Sequence, residues 1–269
     1  MGLPTSKPSA SCRRSLLSLV WFTCSIIGLG LLFSAAVKPW LALSWWQVFR
    51  RCASVAAAVT LWWFLRRVDR LPVRALGLGP WASGKRQLAG GIALGVAAVA
   101  VMAAGYLAAG IWRIDIHPDT ARVWRTVIGF LPAAGLVAVL EELVFRGYIL
   151  QRLLPCSRAL AVVGSSVAYA LVHLRPPVEW PGSGLEIVGL FILGCVLALS
   201  YLKTRQLYAA IGLHAVLAYA ARVNKLLVEA PDQSLIWLIG TSRLINGVLT
   251  WVMLIGVGWL LARRMRVSA

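Results

Sequence analysis

Long apolar stretches alternate along this chain with short segments that are rich in arginine and lysine. Eight of these stretches are long enough, or nearly so, to cross the roughly 30 Å hydrocarbon core of a bilayer. They lie at residues 16–37, 44–65, 88–112, 126–145, 159–174, 185–202, 206–221 and 244–262. Because a chain in lipid must satisfy its own backbone hydrogen bonds, each stretch is predicted to be helical. The pattern therefore predicts an all-α, polytopic transmembrane helix bundle of about eight spans.

The composition agrees with a bilayer as the solvent. Of the 269 residues, 60% are hydrophobic and only 13% are charged, which is more apolar surface than a soluble domain of this length can bury. The net charge of +18 could indicate a nucleic-acid partner. The basic residues, however, lie in clusters between apolar runs, and no soluble basic face or stacking platform accompanies them. We expect no nucleic-acid partner and a lipid bilayer instead.

The basic clusters also predict sidedness. With the N-terminus inside, most of the 27 lysines and arginines fall on the cytoplasmic side, and an even number of spans places both termini there. The five cysteines form no C-x-x-C pair and are expected to be free, small apolar residues buried in the bundle. Free cysteines and the lack of an organelle signal favour a multi-pass protein of the cell membrane, in particular a bacterial inner membrane.

Two adjacent acids end one of the apolar runs, AAGLVAVLEELVFRGYIL. Carboxylates at such a depth are costly and are usually functional. On a helix, Glu142 and Arg146 are four residues apart on one face, whereas Glu141 points about 100° away. Arg146 can therefore neutralise one carboxylate while the other faces a cavity. The alternative is an interfacial ion pair beside the cytoplasm, with Glu141 simply solvated.

Two of the three histidines also lie on predicted spans. His173 ends the fifth span with Tyr169 one turn before it, His214 lies within the seventh, and His117 is predicted to be a solvated loop residue. A carboxylate and an imidazole can take a proton from one water, and a second imidazole can donate to the oxygen that becomes negative in amide hydrolysis. Two histidines and a glutamate could also bind zinc, but HExxH is absent. Neither a metal nor a cofactor is expected.

The order and spacing of these residues resemble a known family. EELVFRG, from Glu141 to Gly147, resembles the EExxxR signature of the CAAX-protease and bacteriocin-processing (Abi) family. YALVH, from Tyr169 to His173, is similar to its FxxxH motif, with tyrosine for phenylalanine. GCVLALSYLKTRQLYAAIGLHAVLA resembles the segment that carries its third histidine. The resemblance covers roughly residues 125–220.

The resemblance implies an all-helical intramembrane protease of the glutamate type. In such proteins the positions that match Glu141 and His173 activate water, those of Glu142 and Arg146 organise the site, and that of His214 helps to stabilise the oxyanion. It also implies a division of one integrated domain into N-terminal transmembrane helices (1–124), a catalytic core (125–222), and an outer loop with a C-terminal transmembrane helix (223–269). The expected partner is a membrane protein or peptide substrate, whose identity the sequence does not specify; nor does it specify the oligomeric state.

One position departs from the family pattern. The family usually has asparagine or aspartate one turn after the last histidine, where this chain has Ala218, which carries no donor. Tyr219, Asn224 and Asn246 are the nearest polar candidates, and none of them has that spacing. A catalytically weak or inactive relative that binds a hydrophobic peptide therefore remains open. So does a proton-coupled carrier, although the chain has no repeated halves.

Overall fold

A computed structural model of the protein describes residues 10–174, 176, 178, 180–229, 234, 238, 244 and 247–264. The helices are α1 (Ala10–Val37), α2 (Trp45–Trp63), α3 (Trp81–Ala108), α4 (Thr120–Glu142), α5 (Arg158–Leu171), α6 (Gly182–Thr204), α7 (Tyr208–Val223) and α8 (Val248–Arg264). Two-residue strands β1 (Arg113–Ile114) and β2 (Val228–Glu229) form an antiparallel pair.

Two of the helices continue beyond their α-helical part. α2 is extended by a π-helical segment, Phe64–Val68. α4 is extended by a longer π-helical segment, Leu143–Leu150, and by a last α-helical turn, Gln151–Leu153. Short 3₁₀ turns lie at Lys38–Trp40, Val73–Leu76 and Asn224–Leu226. The π-helical segment after α4 begins directly behind the two adjacent acids, and π-helical turns are frequent at functional sites.

The prediction of a polytopic all-α bundle is confirmed. Five helical segments are long and apolar enough to cross a membrane: those that start at Ala10, Trp45, Trp81, Thr120 and Gly182. α5, α7 and α8 have 14, 16 and 17 residues and are shorter than a usual span. The chain is therefore a multi-pass membrane protein, and the number of eight spans stays a prediction.

Contacts between the connections show that α2 and α4 run in one direction and that α3 and α7 run in the other. At one end of the bundle, Asp69 after α2 forms an ion pair with Arg152 after α4, and the Tyr208 hydroxyl at the start of α7 donates to the Gly79 carbonyl before α3. At the other end, β1 before α4 pairs with β2 after α7. Which end faces the cytoplasm stays a prediction.

The cysteines differ from the prediction. Cys12 in α1 and Cys156, between α4 and α5, form a disulfide, whereas Cys24, Cys52 and Cys195 are free. The pair is 144 residues apart in sequence and meets because the start of α1 packs beside the end of the extended α4. The prediction of free cysteines was therefore wrong for these two.

Two glycines allow α3 and α7 to touch backbone to backbone. A Cβ atom on Gly91 would lie 2.2 Å from the carbonyl oxygen of Ala209, and one on Gly212 would lie 2.5 Å from the carbonyl oxygen of Leu88. Such close crossings through small residues are common between membrane helices. Because His214 follows Gly212 by two residues, this crossing determines where its imidazole lies.

Gly91→Ala is expected to destabilise the protein by about 1–3 kcal/mol, since the added methyl group must push α7 away from α3. Gly90 is the matched control, because a Cβ atom there meets no atom within 4 Å. The measurement is the thermal unfolding midpoint of each purified variant in detergent. We expect Gly90→Ala to unfold at or slightly above the wild-type temperature. Equal midpoints for the two alanine variants would contradict the proposed close crossing.

Candidate active site

The structure brings all five predicted site residues into one cluster. Glu141 and Glu142 are the last two residues of α4, and Arg146 lies in the π-helical segment that follows. His173 lies just beyond the end of α5, and His214 lies in α7. Three separate parts of the chain therefore supply the cluster, and their side chains make the contacts described below.

The Glu142–Arg146 pair forms the buried base of the cluster. Both side chains are fully buried, and Nη1 of Arg146 donates to Oε1 of Glu142 at 2.8 Å. Nη2 of Arg146 donates to the Gly194 carbonyl of α6 at 3.2 Å, and its guanidinium carbon lies 4.5 Å from the centre of the Tyr169 ring. A buried charge needs such partners, because taking it out of water costs several kcal/mol. Arg146 thus connects α4, α5 and α6.

His214 joins this base to the open part of the site. Its imidazole is almost fully buried, with Nδ1 2.9 Å from Oε1 of Glu142. Its Nε2 lies 3.3 Å from the Tyr169 hydroxyl and 3.6 Å from Oε2 of Glu141. Because Oε1 of Glu142 already accepts from Arg146, we assign the hydrogen on this side of the ring to Nδ1, which donates to the carboxylate. The neutral ring then has its lone pair on Nε2.

His173 faces the same carboxylate from α5. Its Nδ1 lies 2.8 Å from the main-chain oxygen of Tyr169. A carbonyl oxygen can only accept, so Nδ1 is the donor and Nε2 carries the lone pair of the neutral ring. That Nε2 lies 3.7 Å from Oε2 of Glu141, and the two side chains are 20% and 24% exposed. Glu141 and His173 are therefore the partly exposed members of the cluster, with Oε2 of Glu141 itself buried between the two imidazoles.

The geometry around Glu141 is suited to holding a water molecule. Oε2 of Glu141 lies 3.6 and 3.7 Å from the two imidazole Nε2 atoms and has no hydrogen-bond partner among the described residues. These separations are longer than a direct hydrogen bond but leave one water able to bond to the carboxylate and an imidazole together. Within the described part of the chain, no group of three histidine, cysteine or acidic side chains is arranged to hold a metal ion.

The remaining sequence candidates lie outside this cluster. His117 lies before α4 and away from the cluster. Its ring contacts the Arg122 side chain and the backbone N–H of Asp119. Ala218, in α7, is partly buried, and the Tyr219 hydroxyl donates to the Val127 carbonyl in α4. Asn224 starts the 3₁₀ turn after α7. Asn246 lies outside the described residues.

Two contributors to the site were not assigned to it from the sequence: Gly194, which the motifs do not single out, and Tyr169, which was noted only for its position beside His173. The Gly194 carbonyl accepts from Arg146, and it can do so because α5 and α6 approach closely there: a Cβ atom on Gly194 would lie 2.8 Å from Cβ of Ser166. Tyr169 contacts both histidines, through its carbonyl and its hydroxyl. The available signal for Tyr169 was its position four residues before His173, on the same helix face.

Comparison with known proteins agrees with the motifs. Residues 123–220 match the family model described as type II CAAX prenyl endopeptidase Rce1-like. No curated protein and no solved structure matches the chain. The matched segment runs from α4 to α7 and contains all five residues of the cluster. The match likens these residues to prenyl endopeptidases of the CAAX type. Residues 123–220 are thus an Rce1-like segment, which confirms the resemblance of this chain to the CAAX-protease family.

Proposed function

We propose that this protein is an intramembrane endopeptidase that hydrolyses a peptide bond in a membrane-associated protein or peptide. The observation that carries the proposal is the position of Oε2 of Glu141, within 3.7 Å of Nε2 of both His173 and His214. A carboxylate and two imidazoles around one point can bind a water and take its proton. No covalent intermediate with the protein is needed.

Glu141 and His173 act on the water. The water bonds to Oε2 of Glu141 and to Nε2 of His173, gives its proton to the carboxylate and attacks the carbonyl carbon of the peptide bond. The new C–O bond makes a tetrahedral intermediate with a negative oxygen. When the C–N bond breaks, the protonated Glu141 returns the proton to the leaving amine, so the enzyme is regenerated.

Glu142 and Arg146 organise the site instead of reacting. Their fully buried ion pair holds Nδ1 of His214 through the Glu142 carboxylate, so the imidazole faces Glu141 in one orientation. Preorganised groups of this kind need not rearrange during the reaction, which is how an enzyme stabilises developing charge. The negative oxygen of the intermediate lies on the His214 side of the water.

The surroundings of Glu141 and His173 support a membrane-associated substrate. Glu141 and His173 are partly exposed, and exposed apolar side chains lie near them in sequence: Leu136 and Val137 in α4, and Leu171 at the end of α5. A substrate that reaches Glu141 and His173 therefore meets apolar side chains in the same segments. The description of the matching family suggests a prenylated peptide with a C-terminal CaaX sequence (cysteine, two aliphatic residues and a variable residue) as the first probe.

Two experiments test this proposal. The peptidomes of cells that express the wild-type chain or the Glu141→Gln variant are compared, and we expect cleaved fragments of at least one membrane protein in the wild type alone. In parallel, the purified proteins are placed in proteoliposomes with a farnesylated, fluorescence-quenched CaaX peptide. Identical peptidomes, together with equal cleavage by the two proteins, would contradict the hydrolytic role.

A further inference from the structure

The hydroxyl of Tyr169 lies inside the site but takes no part in the proposed activation of water by Glu141 and His173. The side chain is 2% exposed, and the hydroxyl is 3.3 Å from Nε2 of His214. The ring packs edge-on against His214, is tilted over His173 at 4.8 Å between centroids, and lies under the guanidinium of Arg146. The ring therefore has packing contacts of its own, which do not require the hydroxyl.

The hydrogen-bond directions make this hydroxyl a donor. Nδ1 of His214 donates to Glu142, so in the neutral ring Nε2 has a lone pair and can only accept. Tyr169 must then donate its O–H to Nε2. Of the described side chains in contact with Nε2, Tyr169 and Glu141, only the tyrosine carries a neutral O–H donor.

We propose that the Tyr169 hydroxyl donates a hydrogen bond to the negative oxygen of the tetrahedral intermediate. This inference rests on the proposed hydrolysis. The hydroxyl turns about its C–O bond from Nε2 to the negative oxygen. At 3.3 Å its hydrogen bond to Nε2 is long, so little is lost when a charged acceptor replaces it. Ala218, one turn beyond His214, has no side-chain donor to offer there.

Tyr169→Phe tests the inference, because it removes the hydroxyl and keeps the ring. With the farnesylated, fluorescence-quenched CaaX peptide in proteoliposomes, we expect kcat to fall by about 10²–10³-fold while KM changes by less than about threefold, since the lost bond forms in the transition state. Tyr148→Phe is the matched control. Tyr148 is also 2% exposed, and its hydroxyl contacts Ser18, outside the site. We expect its kcat to equal that of the wild type.

Two results would overturn the inference. One is a Tyr169→Phe protein that turns over as fast as Tyr148→Phe, because an N–H of His214 would then suffice. The other is a Tyr169→Phe protein whose KM is raised and whose kcat is unchanged, because the hydroxyl would then act in substrate binding alone. Glu141→Gln is measured in the same series. If Glu141→Gln keeps full activity, the proposed function itself is wrong. If Glu141→Gln is inactive but Tyr169→Phe is fully active, only this inference is wrong.

Discussion

Glu141→Gln is expected to lower kcat for peptide cleavage by about 10²–10⁴-fold, the usual contribution of a general base. Glutamine has nearly the same shape as glutamate but cannot take a proton from water. The side chain is 24% exposed, and its Oε2 makes no hydrogen bond to the described residues, so its replacement removes little that holds the fold together. We therefore expect the thermal unfolding midpoint to stay within a few degrees of the wild type.

The measurement is the cleavage rate of the quenched peptide in proteoliposomes, with insertion checked by protease accessibility of the reconstituted protein. Glu229→Gln makes the same chemical change at an exposed acid of β2, outside the site, and is the control. It should leave kcat nearly unchanged. Cleavage by Glu141→Gln at the wild-type rate would rule out proton transfer to this carboxylate.

Arg146→Met is expected to destabilise the protein by about 3–5 kcal/mol, because it leaves the carboxylate of Glu142 buried without its charged partner. Glu142 and Arg146 are both fully buried, and the arginine also donates to Gly194 and lies on the Tyr169 ring. Methionine keeps an unbranched apolar stem but lacks the guanidinium, so the bond to Gly194 is lost as well. This variant therefore acts on the stability of the fold, in contrast to Glu141→Gln, which acts on the reaction.

A double variant separates the ion pair from the packing. Adding Glu142→Gln to Arg146→Met removes the unpaired charge, while the amide oxygen can still accept from Nδ1 of His214. Replacing both members of a buried pair costs far less than removing one, so the double variant should regain much of the lost stability. Unfolding is followed by temperature or denaturant in mixed micelles. A double variant whose loss equals the sum of the two single losses would contradict this account.

Much of the local structure follows from the sequence. Apolar runs of 16 residues or more must become helices in lipid, because no water is present to satisfy the backbone, and helices occupy each of the eight stretches. The pairing of Glu142 with Arg146 follows from a spacing of four residues, and so does the divergence of Glu141 from Glu142. The bond between His173 and the carbonyl of Tyr169 also spans four residues. Local geometry on one helix determines these contacts.

The tertiary structure decided the contacts that join distant segments. Periodicity shows which face of a helix is polar, but not which other helix that face meets. The meeting of His214 with Glu142 depends on the close crossing at Gly91 and Gly212, and the disulfide depends on the packing of α1 beside the end of α4. The two imidazoles reach one carboxylate oxygen because helix packing, which sums many weak contacts between residues far apart in sequence, sets the crossing of α4, α5 and α7.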